Sequence, residues 1–273
     1  CCCWAWVSSP CCGVGAQEPE AGARLAGMIR RPFLTPLLLA LAGTLIPLGA
    51  AEPVPQEARA FEAKLTRTGG YRYLLGFPRE YEADQEAKWP LILFLHGAGE
   101  RGTDLEQLKK HGPPRLLAEG KDLGAIVASP QVPTGEVWDA DLVKALADDL
   151  AAQHRVDLDR IYLTGLSMGG FGTWETGLKY PETFAALAPI CGGVGVRFLS
   201  ASRLQRMPVW IFHGAKDPVV SPADSQKMFA QLEKMGAPVK FTLYPEAGHD
   251  SWTATYDDPE FWKWLMSQRR TAE

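Results

Sequence analysis

Strand-like and helix-like segments alternate along most of the chain, and this alternation limits the possible folds more than any other feature of the sequence. Short runs typical of strands lie at Tyr71–Leu75, Leu91–Leu95, Gly124–Ser129, Arg160–Thr164, Phe184–Ile190, Val209–Phe212 and Val239–Tyr244. Patterns typical of helices lie at Asp141–His154, Gly169–Lys179, Pro222–Met235 and Pro259–Ser267. Such alternation without an internal repeat predicts an α/β fold, in which helices cover both faces of a mostly parallel sheet. Ligands of such sheets bind beyond the carboxyl ends of the strands.

One of the loops at those strand ends contains Gly165-Leu166-Ser167-Met168-Gly169, between a strand-like run and a helix-like segment. A serine on so tight a turn projects its hydroxyl above the sheet, and glycine is needed on both sides because strand and helix backbones pass close together. The pattern alone is weak evidence, since glycine-rich turns are common. Its position between a strand and a helix favours Ser167 as a nucleophile.

A serine hydroxyl needs a base to take its proton, and the base needs a carboxylate to orient it. On a turn of this kind the chain order is serine, then acid, then histidine. His249 lies on the loop after the last predicted strand and is the predicted base, whereas His213 ends a strand and is predicted to be structural. Asp217 follows that same strand, Val209–Phe212, and is the predicted acid. The alternative acids are Asp224, Glu246 and Asp250.

The negative charge that develops during attack on a carbonyl group requires two backbone N–H donors. The residue after the nucleophile, Met168, should provide one of them. The loop after Leu91–Leu95 has the sequence His96-Gly97-Ala98-Gly99 and should provide the other through Ala98. We expect His96 to hold this loop in place.

Four motifs in this order resemble the α/β-hydrolase esterases, over roughly residues 70–270. They are residues 91–102, LILFLHGAGERG; 165–170, GLSMGG; 213–217, HGAKD; and 248–252, GHDSW. The most similar groups are the phospholipase/carboxylesterases and the polyhydroxybutyrate depolymerase-like and feruloyl esterase-like proteins. The resemblance implies an α/β-hydrolase fold, a triad of Ser167, Asp217 and His249, and hydrolysis of carboxylic esters without a cofactor or a metal. Dienelactone hydrolases are similar in outline but carry cysteine where this chain has Ser167.

The substrate is less well defined by the sequence. Trp138 and Trp252 are candidate binding residues, because an indole ring can stack on an aromatic acyl group or a sugar, although ordinary packing is the alternative for each. Only a short stretch separates Ile190 from Pro208, so we predict no large cap domain and an open cleft for small or short-acyl esters. Acetyl or feruloyl esters derived from plant polymers are one candidate class. The partner would be a small-molecule ester, and a net charge of -4 argues against nucleic acid.

The same triad and fold occur in peptidases, so a peptidase like the catalytic domain of prolyl oligopeptidases is the main alternative function. A binding protein that keeps the fold without catalysis is a second alternative. The complete set of predicted triad residues argues against that alternative, because loss of one of them would be its signature.

The N-terminal region has the pattern of a secretory signal peptide over residues 28–51. Arg30 and Arg31 are basic, an apolar run follows from Phe33 to Leu48, and small residues end the pattern at Ala51. We therefore expect a secreted or periplasmic protein with no stable membrane association after cleavage. An uncleaved anchor is the alternative, although the apolar run is short compared with the roughly 20 residues that a spanning helix needs.

The remaining segments complete the predicted domain organisation. Residues 1–27 are interpreted as an upstream extension that is not native, residues 52–69 as a linker, and residues 70–273 as the catalytic domain. Five cysteines lie in the extension, at Cys1, Cys2, Cys3, Cys11 and Cys12. They lack the two-residue gap that zinc sites favour and no histidine lies near them, so no metal site is predicted there.

Overall fold

The computed structural model describes residues 68–270, so the predicted upstream extension, signal peptide and most of the linker lie outside the described residues. Seven strands form one sheet: β1 Arg72–Gly76, β2 Trp89–Leu95, β3 Ile126–Gln131, β4 Val156–Leu166, β5 Ala186–Ile190, β6 Val209–Gly214 and β7 Val239–Tyr244. Their order is β1-β3-β2-β4-β5-β6-β7. Strand β1 is antiparallel to β3, and all other neighbours pair in parallel. The prediction of a mostly parallel sheet is confirmed.

Six α-helices accompany the sheet in the described residues: α1 Gly112–Ala118, α2 Ala140–Gln153, α3 Met168–Lys179, α4 Ala223–Lys234, α5 Trp252–Asp257 and α6 Pro259–Ser267. Three 3₁₀ segments lie at Ala98–Glu100, Leu105–Lys110 and Gly195–Leu204. Helices α1 and α5 and the 3₁₀ segments were not predicted. The 3₁₀ segment at Gly195–Leu204 occupies most of the stretch between β5 and β6, where the predicted absence of a large cap domain agrees with the structure.

The core has two parts because side chains alternate between the faces of each strand. Along β2, Leu91, Leu93 and Leu95 pack on one face with residues of α2, α3 and α4. Ile92 and Phe94 pack on the other face with residues of α1, α5 and α6. All five of these side chains are at most 1% exposed. Burial on both faces fixes the sheet, and the sheet fixes the loops that leave its carboxyl edge.

No helix within residues 68–270 has both the length and the apolar character that crossing a bilayer requires.

Candidate active site

Ser167 lies in the turn between β4 and α3, with φ 52° and ψ −116°. Positive φ is uncommon for a residue with a side chain, so this turn is strained. A Cβ added to Gly165 would lie 2.5 Å from the carbonyl oxygen of Gly169, and a Cβ added to Gly169 would lie 1.8 Å from that of Leu95. Both glycines of the motif are therefore required by the close approach of neighbouring backbones.

The structure brings the three predicted triad residues together in a chain of two hydrogen bonds, which we call the relay. His249 Nε2 lies 2.8 Å from Ser167 Oγ, and His249 Nδ1 lies 2.7 Å from Asp217 Oδ2. A carboxylate can only accept, so Nδ1–H donates to Asp217 and leaves Nε2 to accept from the serine hydroxyl. This is the arrangement in which a histidine can act as a base toward a serine.

Asp217 is buried and is held in its ionised form. Its Oδ1 accepts hydrogen bonds from the backbone N–H groups of Val219 at 2.8 Å and Val220 at 2.9 Å. Burial alone would raise the pKa of Asp217, but the hydrogen bonds from His249 and from these two amides outweigh that effect and hold the pKa below its ordinary value.

The three alternative acids have other partners. Asp224 accepts from the backbone N–H of Gly195 at 3.2 Å, and Asp250 accepts from the backbone and hydroxyl of Thr253. Glu246 is exposed and pairs with Lys216. The geometry therefore favours Asp217 over all three.

His213 lies beneath this relay and is fully buried. Its Nδ1 is 2.8 Å from Ser225 Oγ, while its Nε2 is 2.9 Å from the carbonyl oxygen of Val220 and 3.2 Å from Asp217 Oδ2. The ring thus supports the loop that carries Asp217, in agreement with the predicted structural role.

The two predicted oxyanion donors occupy equivalent positions. Met168 is the first residue of α3, and Ala98 is the first residue of a 3₁₀ segment. Backbone N–H groups at the start of a helix have no acceptor within that helix. The loop of Ala98 lies beside the nucleophile, because a Cβ added to Gly97 would be 3.6 Å from Ser167 Cβ.

His96 holds this loop through hydrogen bonds on both ring nitrogens. Nδ1 donates to the carbonyl oxygen of Gly97 at 2.6 Å, and Nε2 accepts from the backbone N–H of Val132 at 3.0 Å. Burial lowers the pKa of His96 to about 4, with a smaller lowering by Arg101 and a partial offset by the hydrogen bond to Gly97. His96 is therefore neutral near pH 7, as a structural histidine with one donor and one acceptor requires.

A cavity of about 410 Å³ opens on one side of Ser167. Its apolar lining includes Val137, Met168 and Phe171, and an ion pair between Glu175 and Arg197 at 2.9 Å lies at its edge. Val137 is 67% exposed and Phe171 is 41% exposed, so both are accessible to a ligand. The sequence analysis did not single out these residues, because isolated apolar residues outside the core give no distinctive pattern.

The two predicted tryptophans are placed differently. Trp138 borders the cavity but is only 4% exposed, and its indole N–H donates to the carbonyl oxygen of His96 at 3.1 Å. Trp252 is not part of the lining of this cavity, and its ring centroid lies 5.4 Å from that of His249 and 5.4 Å from that of His111. Trp252 therefore contacts the predicted base, while Trp138 supports the loop of Ala98.

Cys191 also lies near the turn of Ser167 but has a different character. It is fully buried, and this burial raises the pKa of its thiol to about 12. A thiol that stays protonated is a poor nucleophile, so Ser167 is the better candidate at this site.

Comparisons with known proteins match the part of the chain that carries this site. The sequence profile of the dienelactone hydrolase family matches residues 129–262, which include Ser167, Asp217 and His249. A bifunctional acetylxylan esterase/xylanase from Neocallimastix patriciarum is 32% identical over 140 residues, which are 48% of this chain and 20% of that protein. A carboxylesterase from Arabidopsis thaliana is 24% identical over 187 residues, which are 58% of this chain and 82% of that one.

Among solved structures, the crystal structure of a thermostable esterase superposes with a TM-score of 0.63 at 33% identity, covering 72% of this chain and 59% of that chain. The chain thus spans less than two thirds of the length of the first relative and of this solved chain. Profile, relatives and solved structure all match the domain that carries Ser167, Asp217 and His249, and this domain has the α/β-hydrolase fold.

Proposed function

We propose that this domain is a serine carboxylesterase that forms an acyl-enzyme on Ser167. The observation that carries the proposal is the relay of two hydrogen bonds, 2.8 Å and 2.7 Å long, that joins Ser167 to His249 and His249 to Asp217. The relay ends at a serine on a strained turn, beside two helix starts whose N–H groups can bind an oxyanion.

Each residue has a defined part in the proposed reaction. His249 Nε2 takes the proton of Ser167 as Oγ attacks the ester carbonyl carbon, and the backbone N–H groups of Ala98 and Met168 bind the resulting oxyanion. The ionised Asp217 stabilises the imidazolium. His249 then gives its proton to the alcohol oxygen as the ester bond breaks. In the second half, water replaces the alcohol and releases the acid.

The cavity beside Ser167 supports small or short acyl groups as substrates. With about 410 Å³ and an apolar lining, it can receive an acetyl group or a single aromatic acyl group such as feruloyl. The relative that is named an acetylxylan esterase/xylanase favours esters derived from plant polymers as the candidate class.

The test is hydrolysis of p-nitrophenyl acetate, butyrate and octanoate by the full chain, beside Ser167→Ala. We expect turnover of the short esters and a loss of at least about 10³-fold in the variant, since its relay lacks the nucleophile. Thr253→Ser, a small change in helix α5 shortly after the base, is the matched control. Folded wild-type protein that hydrolyses none of these esters but cleaves prolyl peptides would replace the esterase by the peptidase alternative.

A further inference from the structure

We propose that Glu100 and His111 form a subsite for a hydroxyl group of the alcohol part of the ester. The domain would then prefer esters of polyols or sugars over esters of simple alcohols. This inference rests on the proposed esterase function and adds to it the residues that select the alcohol.

The position of the subsite follows from the chemistry of the leaving group. The alcohol oxygen must receive its proton from His249, so the alcohol lies on the side of His249. Trp252 packs edge-on against His249 and also against His111, and its indole N–H donates to His111 Nδ1 at 3.3 Å. The lining of the apolar cavity that we assign to the acyl group includes Ser167 but none of these three residues.

Glu100 is a buried carboxylate next to the nucleophile. Its side chain is 9% exposed, and its Oε2 lies 3.2 Å from the point where a Cβ on Gly97 would be. The Cβ of Ser167 lies 3.6 Å from the same point. Within the described residues no group donates a hydrogen bond to this carboxylate, and His111 Nε2 lies 3.8 Å from Oε1, which is too far for a direct hydrogen bond. A carboxylate that is 9% exposed and has no donor among the described residues can accept a hydrogen bond from a bound hydroxyl group.

The gap between His111 and Glu100 has the chemistry of a hydroxyl site. Because His111 Nδ1 accepts from Trp252, the proton of the neutral ring is on Nε2, which faces Glu100. The gap is therefore lined by one donor and one acceptor. A hydroxyl oxygen can accept from Nε2–H and donate to Oε1 across 3.8 Å with two ordinary hydrogen bonds of about 2.8 Å. An ammonium group could not accept from Nε2–H, and a carboxylate would be repelled by Glu100.

The test compares two acetate esters that differ only in this donor, 2-hydroxyethyl acetate and 2-methoxyethyl acetate. Both have an oxygen at the same position with a similar inductive effect, but only the first can donate to Glu100. We expect kcat/KM of the full-length wild-type protein to be about tenfold higher for the hydroxyl ester, since a hydrogen bond to a charged group is at stake. A ratio near one, with p-nitrophenyl acetate hydrolysed normally, would overturn the subsite but not the esterase. Absence of hydrolysis of all three esters would overturn both.

Variants then assign the preference to Glu100. Glu100→Gln removes the charge, and Glu100→Asp keeps the charge but withdraws the carboxylate, so each should bring the ratio of the two kcat/KM values close to one. The matched control Glu233→Gln, at an exposed position on α4, should keep the wild-type ratio. A folded Glu100 variant that keeps the tenfold preference would contradict the assignment, as would an equal loss on both esters, which indicates a purely structural role.

Discussion

At the scale of single residues, Asp217 differs from Asp250 and Glu246 in the part of the chain from which its carboxylate reaches His249. It comes from the loop after β6, so its carboxylate reaches Nδ1 while Nε2 stays directed at Ser167. Asp250 is adjacent to His249 in sequence but turns back to Thr253. Proximity in the sequence therefore does not decide which acid orients the base.

We expect Asp217→Asn to lower kcat by about 10⁴-fold, because an amide can stabilise the wrong tautomer of His249 and cannot stabilise its imidazolium form. The Michaelis constant should change much less, since Asp217 does not contact the substrate. Steady-state kinetics with p-nitrophenyl acetate measure both constants. Asp250→Asn is the control, and a similar loss in this control would mean that the acid has been assigned incorrectly.

The three predicted triad residues share one property, which is that each lies in a loop directly after a predicted strand. Ser167, Asp217 and His249 follow β4, β6 and β7, and parallel pairing brings such loops together. Glu100 also lies on a loop after a predicted strand, β2, but nothing in the sequence relates it to His111. Their relation depends on the 3₁₀ segments around them and on Trp252, 141 residues further along the chain from His111, so only the structure reveals it.

At the scale of elements, the turn between β4 and α3 depends on the absence of side chains at two positions. The sequence motif predicts this turn, and the distances of 2.5 Å and 1.8 Å give its steric reason. Helix α1 was not predicted because Pro113 and Pro114 are typical of positions where a helix is interrupted. Proline is nevertheless well tolerated in the first turn of a helix, which is where both of them lie. Helix α5 is only six residues long and follows the loop of His249 closely, so its pattern is too short to recognise.

Gly169→Ala should destabilise the protein by about 3 kcal/mol or more and abolish esterase activity, since the added methyl group would overlap the carbonyl of Leu95 and force β2 and α3 apart. Urea denaturation followed by circular dichroism measures the loss. The control is Gly70→Ala, where an added Cβ meets nothing within 4 Å. Equal stability of the two variants would show that the turn can relax without cost.

At the scale of the whole molecule, the free energy of unfolding should depend on pH through His96. An unfolded histidine takes up a proton near pH 6.5, whereas the buried His96 does so only near pH 4. Between these values the unfolded state binds more protons, so stability falls as the pH is lowered, by about 2 kcal/mol from pH 7 to pH 5. The depressed pKa of Asp217 acts in the same direction but only below its ordinary value of 3.8.

Urea denaturation at pH 7, 6 and 5 tests this expectation. His96→Gln, which keeps one donor and one acceptor, should remove most of the dependence in this range while lowering stability at pH 7. If the wild-type protein is equally stable at the three pH values, the ring of His96 must be able to accept a proton in the folded state.

The class of fold was predictable because seven short apolar runs typical of strands alternate with segments whose apolar residues have helical spacing. The sheet order was not predictable, since runs such as Leu91–Leu95 and Val209–Phe212 are equally apolar and do not specify their neighbours. That order determines which loops meet, so it also determines the subsites of the cleft.

The order of the strands has a consequence for how activity is acquired during folding. Ser167 is 82 residues from His249 and His249 is 32 residues from Asp217, and these distances along the chain are closed only when β4, β5, β6 and β7 have paired. Parallel pairs of this kind form slowly, because long loops must close before the contacts that stabilise them exist. In a chain whose β7 has not yet joined the sheet, His249 would not be placed beside Ser167. We therefore expect no hydrolysis before β4, β5, β6 and β7 have paired.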